Sequence, residues 1–109
     1  MVLVTTAAAP PVVRALPARL IASIAGVDVR TVERWRTRVQ PRPRHRRRLE
    51  EIEAVLAILG SGMTDRAKQQ WLEAPNVALD WERPVDVLAR GDFREVVGAA
   101  RAYAAGDVS

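Results

Sequence analysis

Residues 18–37 read ARLIASIAGVDVRTVERWRT, and this stretch decides the fold of the chain. Its apolar side chains fall where two short helices crossing at a steep angle would face each other, with a small alanine at the closest approach: Ile21, Ala22, Ala25, Val32 and Trp35. Gly26 can adopt the positive φ of a tight turn, and Asp28 can cap the second helix. The pattern predicts a helix-turn-helix, a unit that places its second helix in the major groove of DNA.

Arginines are concentrated beside this unit. Residues 28–48 contain nine arginines against the carboxylates of Asp28 and Glu33, a net charge of +7, so that the rest of the chain carries −3 of the total of +4. A local basic block next to a recognition helix is typical of phosphate contacts, whereas diffuse basicity would indicate little about partners. Arginine rather than lysine favours bidentate contacts with phosphate or guanine.

The predicted DNA contacts lie on the outer face of the second helix and in the basic block after it. Arg30 and Arg34 are the best candidates to bind the O6 and N7 atoms of guanine. Glu33 either accepts a hydrogen bond from cytosine or holds a neighbouring arginine in place. For any one arginine at the start of the following helix, a solvated charged face is an equally good interpretation. The predicted set is Arg30, Glu33, Arg34, Thr37, Arg38, Arg46 and Arg47.

Composition excludes several classes of function. The 109 residues form one domain, or two small helical halves sharing a core, and contain no cysteine for disulfides or thiolate chemistry. The single histidine, His45, lies among arginines and is predicted to be a solvated linker residue, so neither a metal site nor a cofactor is expected. No nucleophile–base pair or carboxylate dyad has a recognisable spacing, which argues against an enzyme. The N-terminus resembles neither a signal peptide nor a membrane span. Because the chain has no cysteine, the reducing cytoplasm is the expected compartment.

Helical signals run along the whole chain, and no alternating run is long enough for a strand, so the predicted fold is all-α. Pro10 and Pro11 are predicted to open a short first helix. Residues 40–44, QPRPR, are predicted to be extended or turned, because each proline restricts the residue before it. This junction divides the chain into an N-terminal DNA-binding region, 1–44, and a second helical region, 45–109.

The second region carries further signals for helix starts. Thr64 and Asn76 are suited to capping the elements that follow them. Asp92 and Glu95 form an acidic variant of the capping box, which predicts the start of the last helix.

The three tryptophans receive different predictions. Trp35 is interpreted as a core residue that closes the helix-turn-helix, because large aromatic side chains dominate small cores. Trp71 is also favoured as a core residue. Trp81 is left open between the core and a binding interface, where aromatic anchors are enriched.

Residues 71–97 read WLEAPNVALDWERPVDVLARGDFREVV and resemble the toxin-binding domain of Xre-type antitoxins from RES-Xre toxin–antitoxin systems, a family that includes MbcA-like and ParS-like proteins. With the helix-turn-helix included, the resemblance covers roughly residues 17–105. The order and approximate spacing of these residues carry it: Trp71, Leu72, Pro75, Asn76, Leu79, Pro84, Val87, Leu88, Gly91 and Val96.

The resemblance implies an antitoxin without enzymatic activity that binds a RES-domain toxin, a protein that destroys cellular NAD, and covers its active site. It also implies repression of its own operon through the N-terminal region, as a homodimer or a larger toxin–antitoxin assembly in the bacterial cytoplasm. Because the C-terminal region of this family approaches the substrate pocket of the toxin, the implied toxin contacts there are Arg101, Tyr103, Asp107, Val108 and Ser109. Trp81, as an aromatic side chain that can anchor an interface, completes the predicted toxin-binding set.

Two alternatives stay open at this point. The arginine-rich and proline-rich segment of residues 38–48 contacts either DNA or an acidic surface of the toxin. The whole chain is either an antitoxin or a stand-alone helix-turn-helix transcription regulator whose C-terminal half dimerises or senses a ligand.

Overall fold

The computed structural model describes residues 9–106, and every regular element in that range is helical, which confirms the all-α prediction. No helix within this range is both long enough and apolar enough to cross a bilayer. A 3₁₀ helix, Val77–Leu79, lies between α5 and α6. The α-helices are α1 (Val12–Ala15), α2 (Ala18–Ala25), α3 (Val29–Thr37), α4 (Pro43–Leu59), α5 (Asp65–Glu73), α6 (Pro84–Ala89) and α7 (Phe93–Ala104).

The turn between α2 and α3 has the geometry that the sequence predicts. Gly26 has a φ of 74°, a left-handed conformation that costs little only for glycine. The carboxylate of Asp28 accepts a hydrogen bond of 2.9 Å from the backbone N–H of Thr31, which caps α3. Trp35 is 4% exposed and belongs to the core, as predicted. The two helices therefore pack as a unit joined by three residues.

The first helix, α1, is held in place by charged side chains from two other helices. The backbone N–H of Val12 donates to Oε2 of Glu53 in α4 at 2.6 Å. Arg36 of α3 donates from Nε to the carbonyl of Val13 at 2.8 Å and from Nη2 to the carbonyl of Leu16 at 2.7 Å. Because a helix of four residues is not stable by itself, these bonds and the packing around them fix α1.

The fourth helix begins earlier than the sequence predicts. Pro43 is its first residue, preceded by Arg42 in an extended conformation, so the prediction of an extended or turned junction is wrong for residues 43 and 44. Proline suits this position because its missing N–H would have no partner in the first turn anyway. His45 accordingly lies in the first turn of α4, not in a linker, and the boundary drawn after residue 44 falls inside this helix.

The start of α7 also differs from the prediction. Asp92 occupies the capping position, but its side chain makes no capping hydrogen bond, so the predicted capping box with Glu95 is wrong. The carboxylate instead accepts a bond of 2.8 Å from Nε of Arg90. The caps predicted at Thr64 and Asn76 are confirmed, with bonds of 3.0 and 2.9 Å from backbone N–H groups.

Buried apolar side chains from both halves of the chain form one cluster. Helix α2 packs on α4 and α6, α1 packs on α4, and α4 packs along α7. Ile21 of α2, Ile52 of α4, Val87 of α6 and Val96 of α7 are all fully buried in this cluster. The halves thus share a core and do not form separate globules.

Candidate functional site

The predicted DNA contacts on α3 form one exposed surface. Arg30, Glu33, Arg34 and Thr37 are exposed along the helix, and Arg38 is exposed at its C-terminal cap. Because α3 buries its opposite face against α2, these side chains project away from the core. We call this set the α3 surface.

A cleft next to the α3 surface separates α3 from the start of α4. We call it the basic cleft, and its lining is Val27, Thr31, Arg34, Trp35, Val39, Gln40, Arg42 and His45. The ring of His45 lies 5.6 Å from that of Trp35. Burial lowers the pKa of His45, and the nearby charges of Arg44 and Arg42 lower it further, so His45 is neutral at neutral pH. The positive charge of the cleft therefore comes from arginines, which suit a phosphate.

Thr31, Gln40 and Arg42 line the basic cleft, although none of them is in the predicted DNA set. Sequence reasoning assigned Gln40 and Arg42 to the junction, and the signal that could have found them is Pro43, which fixes the start of α4 beside them. Arg46 reaches the same side of α4, where its Nη2 donates to Oε1 of Gln40 at 3.1 Å.

Other arginines of the basic block point elsewhere. Arg47 is exposed and lines a separate cleft on α4 together with Arg44 and Arg48, so the structure does not bring it to the α3 surface. Arg48 pairs with Glu51 at 3.1 Å. Arg36 is committed to the carbonyls of α1 and lies 3.7 Å from Glu33. The nine arginines thus divide among several roles.

A second candidate surface is aromatic and lies in the other half of the chain. Trp71, Ala74, Pro75, Asn76 and Tyr103 line a shallow groove. The rings of Trp71 and Tyr103 meet edge to face with centroids 6.3 Å apart. Trp71 is half-buried against the core, while Tyr103 is 40% exposed. We call this set the aromatic groove, which offers apolar area and a phenolic hydroxyl to a partner.

The remaining predicted toxin contacts differ in their relation to this groove. Trp81 is connected to it, because its backbone N–H donates to the carbonyl of Asn76 at 2.8 Å. Arg101 is exposed on α7 but does not line the groove, since residues two apart on a helix point in nearly opposite directions. The predicted contacts Asp107, Val108 and Ser109 lie outside the described residues.

An ion-pair network lies beside Trp81. Arg90 donates to both carboxylate oxygens of Glu82 at 2.7 and 2.8 Å and to Asp92 at 2.8 Å. The bonds from Arg90 hold the pKa of Glu82 below its ordinary value, and the two carboxylates raise the pKa of Arg90. These groups are exposed, so water and salt screen their attraction, and the main effect of the bidentate geometry is to orient them.

Comparisons with known proteins agree on one class. A family model described as the antitoxin Xre/MbcA/ParS C-terminal toxin-binding domain matches residues 52–101. A probable mycobacterial cidal antitoxin of Mycobacterium tuberculosis is 36% identical over 83 residues, covering 76% of this chain and 71% of that protein. The fold is similar to a chain in the crystal structure of the M. tuberculosis MbcT–MbcA toxin–antitoxin complex, with a TM-score of 0.71, 25% identity and 86% of each chain covered.

These findings define an antitoxin of a toxin–antitoxin system, a binding protein and not an enzyme, whose partner is a toxin. The chain belongs to the Xre/MbcA/ParS antitoxin family. Of the two interpretations left open by the sequence, the antitoxin is therefore correct at the level of class. The predicted family resemblance is confirmed as well.

Proposed function

We propose that this antitoxin binds a RES-domain toxin that degrades NAD, covers its active site, and represses its own operon through the α2–α3 unit. The RES class of the toxin follows from the family resemblance of residues 71–97. The observation that carries the proposal is the placement of an aromatic groove and a basic cleft in different halves of one core, because two partners of different chemistry need two surfaces.

The aromatic groove is the proposed toxin side. Trp71, Asn76 and Trp81 all lie within the segment that matches the toxin-binding family model, and Tyr103 follows that segment by two residues. Tryptophan and tyrosine are enriched among the few residues that dominate the energy of protein interfaces. Arg101 and the C-terminal residues 107–109 are proposed to contact the rim of the toxin's substrate pocket.

The α3 surface and the basic cleft are the proposed operator side. Arg30 and Arg34 project from the outer face of α3, where guanine edges would lie in a major groove. Thr31, Gln40 and Arg42 line the cleft beside them and can contact a backbone phosphate. A short recognition helix reads few base pairs, so we propose that a homodimer or a larger toxin–antitoxin assembly binds two half-sites.

The test uses the full chain, because the shared core means that a fragment of residues 46–109 would lose the packing of α1 and α2 on α4 and α6. The neighbouring reading frame is expressed in bacteria with and without the antitoxin, and growth and cellular NAD are recorded together. We expect growth arrest with loss of NAD, and relief of both by the wild-type antitoxin.

Two matched variants separate the two activities. Tyr103→Ala should weaken relief of toxicity and leave operator binding unchanged, whereas Arg34→Ala should weaken operator binding and leave relief unchanged. A neighbour that is harmless, or that arrests growth without loss of NAD, contradicts the RES assignment. An operator fragment that the wild-type complex does not bind contradicts self-repression.

A further inference from the structure

The turn formed by residues 76–82, which we call the Trp81 turn, exposes the largest side chain of the domain. Trp81 is 67% exposed, although the chain has only five aromatic residues with which to build a core. Among residues 9–106, no hydrogen bond or ring contact of its indole is found. The position of this side chain therefore does not serve the internal packing of the domain.

The backbone of the Trp81 turn is left-handed at two consecutive residues. Asp80 has a φ of 56° and Trp81 a φ of 70°. Aspartate adopts this region more often than most residues with a Cβ, whereas for a bulky tryptophan it is an outlier that carries strain. Glycine would adopt these angles without a steric penalty, so a tryptophan here lowers the stability of the free chain relative to glycine. Such strain persists only when the surroundings determine the conformation, and it clusters at functional sites.

The surroundings of the Trp81 turn do determine its conformation. The backbone N–H of Asn76 donates to the carbonyl of Glu82 at 3.0 Å, and the N–H of Trp81 donates back to the carbonyl of Asn76 at 2.8 Å. Asn76 is 8% exposed, and Leu79 is 5% exposed within the core. The bidentate contact between Arg90 and Glu82 fastens the C-terminal end of the turn to the end of α6. The indole is thus presented on a rigid support.

We infer that Trp81 is the preorganised anchor of the toxin interface and inserts into an apolar pocket of the toxin. The backbone conformation that presents its indole makes the free antitoxin less stable than it would be with glycine at this position. The occupant is the toxin because the turn lies inside the segment matched by the toxin-binding family model and is continuous, through Asn76, with the aromatic groove. A rigid support lowers the entropy lost on binding, and this preorganisation raises the affinity for the toxin. The inference rests on the proposed function only for the identity of the toxin used in its test.

The experiment compares three full-length variants. Trp81→Gly removes the indole and relieves the strain, Trp81→Ala removes the indole and keeps a Cβ at positive φ, and Asp80→Gly relieves strain beside an intact indole. Thermal unfolding of each free antitoxin is followed by circular dichroism. Affinity for the purified toxin encoded by the neighbouring reading frame is measured by calorimetry, with a catalytically inactive toxin so that NAD does not interfere.

We expect stability and affinity to change in opposite directions. Trp81→Gly should melt about 3 °C above the wild type, and Trp81→Ala should melt below Trp81→Gly. Both should bind the toxin at least about 30-fold more weakly, as truncation of an aromatic hot spot does. Asp80→Gly should melt above the wild type and bind within about threefold of it, because its indole is present.

The inference is overturned if Trp81→Gly melts below the wild type, since the indole would then stabilise the fold itself. It is also overturned if both truncations bind the toxin as tightly as the wild type, a result that leaves the proposed function intact. A wild-type antitoxin that fails to bind the neighbouring toxin contradicts the proposed function instead.

Discussion

Replacing Arg36 by alanine should destabilise the fold, although Arg36 lies among the nine arginines of residues 28–48, several of which are proposed to contact DNA. Its guanidinium donates to the carbonyls of Val13 and Leu16 at 2.8 and 2.7 Å, and its own carbonyl accepts a bond of 2.6 Å from Arg14. The side chain is 27% exposed, so both of its bonds are partly shielded from water. Arg36→Ala removes the groups that tie the C-terminal end of α1 to α3.

The expected loss follows from two charge-assisted hydrogen bonds. Each such bond contributes about 1.5–3 kcal/mol when shielded, and the freed carbonyls at the end of α1 regain water, which offsets part of the loss. We expect the free energy of unfolding to fall by about 2–3 kcal/mol. With a urea dependence of about 1.5 kcal/mol per molar, the midpoint should fall by about 1.3–2 M.

The assay is urea unfolding of the full chain, followed by circular dichroism at 222 nm and tryptophan fluorescence. Arg30→Ala is the matched control, because Arg30 is exposed on the same helix. Its free energy of unfolding should differ from that of the wild type by less than about 0.5 kcal/mol. Arg36→Lys should recover little, since an ammonium cannot reproduce the fork that reaches two carbonyls. If Arg36→Ala unfolds at the same urea concentration as Arg30→Ala, the structural role assigned to Arg36 is wrong.

Three further predictions concern stability, pH and DNA. Gly98→Ala should stabilise the chain by about 0.5–1 kcal/mol in urea unfolding, because a Cβ added at this position of α7 meets nothing within 4 Å. Gly91→Ala should destabilise the chain, because the φ of Gly91 is 96° and an added Cβ would lie 3.2 Å from the guanidinium of Arg48 in α4. The hydrogen bond from Arg19 lowers the pKa of Glu73 from an ordinary value of 4.5. The ionised carboxylate therefore stabilises the fold above pH 4.5, and this contribution is lost as the pH falls through the folded pKa. The urea midpoint should fall over this pH range, and it should fall less steeply in Arg19→Ala. Arg34→Ala should weaken specific operator binding by about 1–3 kcal/mol in a gel-shift titration, and an equal loss on random DNA would show a phosphate contact in place of base reading.

Local signals in the sequence predicted much of the fold. Gly26 and Asp28 determine the turn between α2 and α3 through backbone conformation and a capping bond, and both effects depend only on near neighbours. Thr64 and Asn76 act in the same way at their helices. The all-α class follows because such signals recur along the chain without an alternating run.

Predictions failed where a distant or competing partner decides the outcome. Asp92 was predicted to cap α7, but Arg90 takes its carboxylate. Arg36 was counted with the basic block, and its bonds to α1 join residues more than 19 positions apart, which no local pattern reveals. The strain at Trp81 was equally hidden, because positive φ is predicted for glycine and not for tryptophan.

For the candidate site, the sequence identified the exposed residues of α3 and the aromatic residues Trp81 and Tyr103 as contacts, and these remain predictions of function. It did not separate Arg47 from Arg46, which the structure places on different sides of α4. Their orientation depends on where α4 begins, and Pro43 was assigned to the junction.

The packing of α2 on α6 limits how such antitoxins can acquire new partners. Recombination that joins the N-terminal half of one relative to the C-terminal half of another would bring together two faces that had not been fitted to each other, and core mismatches of even one methylene are destabilising. Chimeric antitoxins built by exchanging halves should therefore express poorly unless the α2–α6 and α1–α4 contacts are transplanted together. New specificities in this family would accumulate more readily by point substitutions on the surface, with the interior left intact.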